Sequence, residues 1–463
     1  MTLTTALNIA SSGLGVAGLQ TDVTSRNIAN ADRPGFTRKT VATVTANTGQ
    51  ARAGSVERSV DAMLVRLDRT GRSRLSAAST VAEGIAAYTH HLGQPKDGFS
   101  PAAMVEKLRT SLVTLSAFPS QDAAQLQVVS SARDVARTLT GLTKSLGAVT
   151  REVDLNLRYD VAAVNDAMQE LAALNRRVMA PVDGLTKVQT ADRMSGLVDT
   201  LSEYMDIQTV TDAQGMVSVY TAAGAELVVR DQVFDVAYDG MTGKLTAGTV
   251  DLTPGGAGRG IGGGTLAGLL ELRNEILPAF GNQLDGMAAA LLQGFEAANP
   301  MPDGRGLFTD AGAPFSVATQ KGLAARITVN EALDPDLGGS ADRLRTGGLA
   351  GIAAGDASRI DAMVTAFSRI VTVGTGGLGT GLTLGNLAPA LVGGQQATRA
   401  NAEAAAETAR AASETVASAR VNFEGVNIDD EMQKLLLVQQ SYAANAKVLT
   451  TVSNMLDTLL AAV

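Results

Sequence analysis

The chain has no cysteine and no tryptophan. The first absence removes disulfides, thiolate zinc sites and cysteine nucleophiles together. Aromatic residues make up only 3% of the 463 positions, a thin supply for the aromatic walls that deep enzyme pockets use. The only histidines are the adjacent His90 and His91. Neighbours on a helix point about 100° apart, so the two suit one metal poorly, and they complete neither a Ser-His-Asp nor a zinc-hydrolase constellation. Clustered Lys and Arg are missing as well, and the net charge is −8. That argues against nucleic acid or an anionic membrane as the main partner, because phosphate binding needs basic clusters. No run reaches the ~20 apolar residues of a spanning helix. The N-terminal MTLTTALNIASSGLGVAGL has neither a basic region nor the continuous apolar core of a signal peptide. If the protein leaves the cytoplasm, it does so by a route that reads something other than a cleavable signal.

What the chain does have is length and small residues. At 45% hydrophobic it can bury a sizeable core over two to four domains, and its Ala, Leu, Thr, Ser and Gly suit long helices packed closely. Helical spacing predicts helices over 3–28, 61–92, 101–117 and 120–178, with Ser100 as an N-cap before Pro101. In the longest, Leu126, Val129, Ala132, Val135, Leu139, Leu142, Leu155, Val161, Val164, Met168 and Leu171 form the expected core stripe. Residues 36–60 read as extended. Near residue 206 the pattern changes to alternation rich in Val, Thr and Tyr, cut by the turn signals DAQG, AAG and DGMTG. This predicts a small β region over 206–253, with Gly-rich 255–264 as the return linker. Helix resumes over 265–298. Residues 299–357 read as loop-rich, with short strands at 314–318 and 325–329. Helices follow over 358–372 and from about 395 to 461, with a pause at FEGVN, 423–427.

Both ends carry heptads. At the start Leu3, Leu7, Ala10, Leu14, Ala17, Thr21, Thr24 and Ile28 recur at spacings of three and four, weakened by Gly13, Gly15 and Gly18 at roughly 1 kcal/mol each. SRNIANADRPGF then stops the helix abruptly, since the residue before Pro34 is pushed out of the helical region. At the far end one line runs Leu435, Tyr442, Leu449, Leu456, Val463 and its partner runs Val438, Asn445, Val452, Leu459. Two ends that each lack a full core can pack on one another, as an ordinary intramolecular pair, or on copies of themselves.

Other motifs read as structural. GRGIGG (258–263) and GTGGLG (374–379) match G-x-G-x-x-G, but the first lies at the exit of a hairpin-rich region and the second leads into no immediate long helix. Without a strand–glycine–helix unit they read as linkers, and a nucleotide-dependent enzyme is disfavoured. The acids of NIDDE (427–431) read as a first turn that favours the helix macrodipole.

The terminal stretches resemble the axial proteins of the bacterial flagellum. SSGLGVAGLQTDVTSRNIANADRPGFTRK looks like the N-terminal motif of rod, hook and hook-associated proteins, with Asn27, Ile28, Ala29, Asn30, Pro34 and Gly35 on its best-marked positions. It departs at Asp32-Arg33 and Phe36, where Asn-Thr and Tyr are usual. GVNIDDEMQKLLLVQQSYAANAKVLTTVSNMLDTLL (425–460) resembles the C-terminal motif. SAFPSQDAAQLQVVSSARDVARTL (116–139), the segment 262–299 and GLAARITVNEAL (322–333) resemble the hook–filament junction family, the first hook-associated proteins.

The resemblance implies a mainly α fold with terminal coiled-coil helices, a long helical bundle and one small inserted β domain. The expected division is 1–32 with 430–463, then 33–205 with 262–429, and the β insertion 206–261. It implies no enzyme, cofactor or metal. A ring of identical subunits would contact the hook protein below and the second hook-associated junction protein above, outside the cell. An export chaperone and the flagellar type III apparatus would deliver the subunits. The expected assembly residues are Leu3, Leu7, Leu14, Ile28, Leu435, Val438, Tyr442, Leu449, Val452, Leu456 and Leu459, with Asn27, Asn30, Pro34 and Gly35 as the motif turn. A hook or distal-rod protein is the alternative within the class. A helical adhesin or secreted effector would explain the helices but not the two terminal motifs together.

Overall fold

The computed structural model describes residues 3–33, 35–47, 49–180, 184–256 and 258–461. The first helix, α1 (Leu3–Ala29), leads through a turn into an antiparallel hairpin of β1 (Lys39–Thr45) and β2 (Ala51–Arg58). Two capped helices follow. In α2 (Ala62–Leu92) the Asp61 carboxylate accepts from the Met63 and Leu64 amides at 2.7 and 3.1 Å. In α3 (Pro101–Ala117) the Ser100 hydroxyl accepts from the Ala103 amide at 3.2 Å, and Pro101 occupies the first turn, where its missing N–H costs nothing.

The longest element is α4 (Asp122–Val178), 57 residues or about 86 Å at ~1.5 Å each. Its buried stripe runs Val128, Val135, Leu139, Leu142, Leu146, Val153, Leu157, Val164, Met168, Leu171. Leu126 and Leu155, expected in that stripe, are instead 49% and 53% exposed. The stripe passes through Val128 and through Val153 and Leu157, and the two leucines fall to the side of it. A further helix, α5 (Gly184–Tyr204), was not anticipated. Its apolar period of Val188, Met194, Val198 and Leu201 is present in the sequence, but Pro181 and Gly184 punctuate its start.

The β region is two antiparallel sheets. The first holds β3 (Ile207–Thr211), β4 (Val217–Thr221), β5 (Glu226–Val229) and β6 (Gln232–Val233) in that order; the second holds β7 (Val236–Asp239), β8 (Lys244–Ala247) and β9 (Val250–Asp251). All three turn signals fall between strands. The sheets lie against α4 through two asparagines that act as short strand mimics. Asn165 exchanges two 2.8 Å hydrogen bonds with the backbone of Val236, and Asn175 exchanges bonds of 2.8 and 2.9 Å with Val217.

Helix resumes as α6 (Thr265–Glu271), a π-helical turn (Leu272–Ile276) and α7 (Leu277–Ala298). The π turn stands directly before Pro278, where the regular ladder cannot continue. The loop-rich stretch contains β10 (Phe308–Asp310) paired with β11 (Ile327–Val329). The second strand matches expectation. The first does not: 317–319 is a 3-10 turn, and the pairing falls to Phe308, whose buried ring packs edge-on to Phe295 at 5.5 Å. Phe367 packs on the same Phe295 at 5.6 Å, so three rings meet at one point.

After α8 (Arg343–Thr346) and α9 (Ser358–Ala366), shorter than the predicted 358–372, comes α10 (Leu384–Glu424). It begins well before the expected residue 395, continuing through Pro389. The loop GTGGLG therefore does precede a long helix, but no parallel strand precedes the loop. Its glycines serve packing: a Cβ at Gly376 would stand 2.1 Å from the Asn282 carbonyl oxygen. Gly264, after GRGIGG, is likewise pressed against the Tyr204–Met205 backbone at 2.1–2.2 Å. The last helix is α11 (Ile428–Ala461), separated from α10 by the expected pause.

The fold is thus mainly α with small antiparallel sheets, and one core runs through the body. Substituting Leu139→Ala, at 0% exposure, is expected to lower unfolding free energy by ~2–5 kcal/mol, and Leu155→Ala by no more than about 0.5. Urea unfolding of the two variants measures both.

Candidate functional site: the terminal helix pair and its anchorage

The two chain ends meet. α1 and α11 lie side by side and antiparallel, and α10 runs along α2. On α1 the fully buried positions are small or β-branched: Ala10, Val16, Ala17, Val23, Thr24 and Asn27. Leu3, Leu7, Leu14 and Ile28 are half-buried. On α11 only Glu431 and Val452 are buried, Leu435, Val438, Leu449 and Leu456 are half-buried, and Tyr442 and Leu459 are about half exposed. Val463 lies outside the described residues. The remaining face of α11 shows Leu436, Leu437, Val448, Met455 and Leu460 to solvent, at 46–77% exposure. A helix that leaves so many large apolar side chains uncovered has a face without a partner in the single chain.

The motif residues divide by role. Asn27 sits inside the last turn of α1 rather than in the turn that follows, at 0% exposure. Its amide nitrogen donates to the Lys39 carbonyl at 2.8 Å and to the Glu431 carboxylate at 2.9 Å, and its oxygen accepts from the Lys39 amide at 3.1 Å. One side chain therefore joins the first helix, the hairpin and the last helix. Asn30 donates to the Arg26 carbonyl at 2.8 Å and closes the helix end. Gly35 adopts φ 76°, and Pro34 lies outside the described residues. Glu431, read in sequence as one of three acids favouring the dipole, is 1% exposed and also accepts from Lys434 at 2.8 Å. Asp429 and Asp430 stay exposed in the first turn, as the dipole reading expects.

Where α10 hands over to α11, a cluster of charges anchors the pair to the body. The Arg420 guanidinium bonds Asp68 of α2 at 2.7 Å, Asp199 of α5 at 3.0 Å and Glu424 at 3.0 Å. Arg69 takes the other oxygen of Asp199 at 2.7 Å, and Arg72 bonds Asp68 at 3.0 Å. Burial works against the Arg420 charge, but Asp199, Asp68 and Glu424 outweigh it and hold the guanidinium above its ordinary range. Burial lowers Arg69 and pushes the Glu424 carboxyl up, in each case against the pull of its ion partners. Beside this cluster Asp192 of α5 pins the hairpin: Lys39 and Arg58 each reach it at 2.7 Å, and the Thr37 hydroxyl at 2.9 Å. Both α5 carboxylates were missed in sequence because their helix was.

Nothing here resembles acid–base machinery. His90 and His91 are exposed at the end of α2, with rings 5.9 Å apart and edge to face. Among the described residues no cluster of His, Asp or Glu has metal-ligand geometry, and no helix is long and apolar enough to cross a membrane. A cavity of about 760 Å³ between α2, α5 and β3 is lined by Arg58, Arg66, Arg69, Met63 and Met194, with neither histidine nor carboxylate in its wall.

Arg420→Ala strands the buried Glu424 carboxylate, takes one of two arginines from each of Asp68 and Asp199, and is expected to cost ~3–5 kcal/mol, whereas Arg399→Ala, which breaks an exposed i,i+4 pair, should cost less than about 0.5. Chemical denaturation of the two variants compares them.

Two families match this chain. Residues 90–315 match "Flagellar hook-associated protein FlgK helical domain", and residues 417–462 match "Flagellar basal body rod FlgEFG protein C-terminal". Flagellar hook-associated protein 1 of Salmonella typhimurium is 24% identical over 64% of this chain and 56% of its own length, and that of Escherichia coli 22% over 63% and 56%. The chain thus spans little more than half of those two relatives. Flagellar hook-associated protein 1 of Bacillus subtilis is 24% identical over 94% of this chain and 93% of its own. A solved flagellar hook junction protein FlgK from Burkholderia pseudomallei superimposes with a TM-score of 0.44 at 23% identity, covering 54% of this chain and 45% of that one. The helical body and the C-terminal helix match in one chain, and together with the named relatives these matches support a place in the FlgK-like family.

Proposed function

We propose that the protein is a structural, non-enzymatic subunit of the bacterial flagellum that joins hook to filament. The observation that carries this reading is the paired terminal helices with an uncovered apolar face on α11. In isolation that face costs solubility; between subunits it becomes buried surface at about 25 cal/mol per Å². The match over 90–315, to a hook-associated helical domain, favours the junction over hook or rod, although the C-terminal match is to a rod family.

On this reading the terminal pair forms the inner layer of a ring of identical subunits, through the half-buried Leu3, Leu7, Leu14, Ile28, Leu435, Val438, Leu449 and Leu456, the buried Val452, and the exposed Tyr442 and Leu459. The helical body lies outward of it and the β region outermost. The hook protein binds below and the second hook-associated junction protein above. Subunits pass through the flagellar type III export route, with a chaperone covering apolar surface before assembly, and function outside the cell.

Deleting the gene is expected to leave bare hooks with flagellin shed into the medium, seen by electron microscopy and immunoblotting. Missing hooks would place the protein in the hook or rod, and normal filaments would refute the reading. In the free chain, amides of α1 and α11 should exchange with solvent faster than those of α4, since the pair buries little surface of its own. Hydrogen exchange read by mass spectrometry measures this.

A further inference from the structure

The hydrophobic pattern of the terminal pair does not define its own register. A shift of one heptad sets apolar residues against apolar residues again, because both helices repeat every seven positions. By the contacts of Asn27 with Glu431 and of Gly13 with Asn445, Ala10 falls level with Val448 and Leu449, and would meet Met455 and Leu456 after a shift one way and Ser441 and Tyr442 after a shift the other way. The buried α1 residues, Ala10, Val16, Ala17 and Val23, are too small to discriminate strongly by shape.

Two contacts do discriminate, one a hydrogen bond and one a close steric fit. The first is the buried bond from Asn27 to Glu431. The second is Asn445, whose side-chain amide lies over Gly13 so closely that a Cβ there would stand 2.9 Å from it. Gly13 and Asn27 are 14 residues apart, and so are Glu431 and Asn445, two heptads in each helix. Both contacts therefore belong to one antiparallel register. A one-heptad shift sets Asn27 against Val438, or carries it past the start of α11, and breaks the buried Asn27–Glu431 bond, leaving the amide with Lys39 alone and the carboxylate with Lys434 alone. The same shift sets Asn445 against Gln20 or Ala6, each of which carries a Cβ that would push the Asn445 side chain out of its present position.

We propose that Asn27–Glu431 and Gly13–Asn445 form a two-point register key, the specificity determinant that selects one alignment of the terminal pair. The key rests on the assembly reading for its purpose, since a subunit with shifted helices would present a displaced apolar face to its neighbours. Its test does not depend on that reading.

Because the chain has no native cysteine, introduced pairs report register directly. The full chain is made with Ala10→Cys and one of Leu449→Cys, Leu456→Cys or Tyr442→Cys, oxidised mildly, and mapped by peptide mass spectrometry. In the otherwise native chain only the pair with Leu449→Cys should link. With Asn27→Ala, Glu431→Ala and Asn445→Ala added, the shifted pairs should link about tenfold more, the scale of one lost polar contact. Far-UV circular dichroism checks that the helices persist. Linking confined to the Leu449→Cys pair in the keyless chain would overturn the key, as would shifted links in the native chain. Loss of every link in the keyless chain would also overturn it, showing that the contacts hold the helices together rather than choose their alignment. Normal filaments in the deletion strain would instead refute the junction reading and leave these links unchanged.

Discussion

A single guanidinium stands where the helical body gives way to the terminal pair. Arg420 meets carboxylates from α2 and α5 and one from its own helix, and the hairpin is pinned to α5 immediately beside it. Charges this far from water are costly to bring together and costlier to separate. The joint is therefore stiff in geometry even where the helices beyond it bury little surface. The body can carry a marginal terminal pair because the pair's direction is set at its root, by ion geometry, rather than along its length by packing.

That division of labour matches the distribution of side chains. The body is filled by Leu, Val and Met at 0% exposure along α3 and α4, with Phe308 and Phe367 each edge-on to Phe295. The pair is built from Ala, Val, Thr and half-buried Leu, with its largest side chains turned outward. Stability belongs to one part and unsatisfied apolar surface to the other. A chain made this way has a well-packed body and an apolar face left uncovered.

Much of this was legible in sequence where the signal is local. Ser100-Pro101 announces a capped helix, and Gly215, Gly224 and Gly243 mark hairpin turns, because caps and turns depend on neighbours a few residues away. Elements interrupted by breakers were harder. Pro181 and Gly184 hid α5, and Pro389 hid the first turns of α10, although both helices keep their apolar period. Leu155 was misplaced because it sits close enough to a 3.6-residue period for either face of so long a helix. Glu431 could not be read at all. Beside Asp429 and Asp430 it looks like one more acid in a first turn, and its decisive partner, Asn27, is 404 residues away. Asn27 itself was visible only as part of a motif, without its role.

That distance has a kinetic side. Contacts between chain ends close the largest loop the polypeptide allows, and the entropic cost of closure falls before any contact energy returns. α4 and its neighbours can form as soon as their residues are free, but α1 has no partner until the last residues arrive. Whichever end becomes free to fold first, the terminal pair is completed last. Its apolar face is thus assembled on a body already folded, too late to interfere with the core.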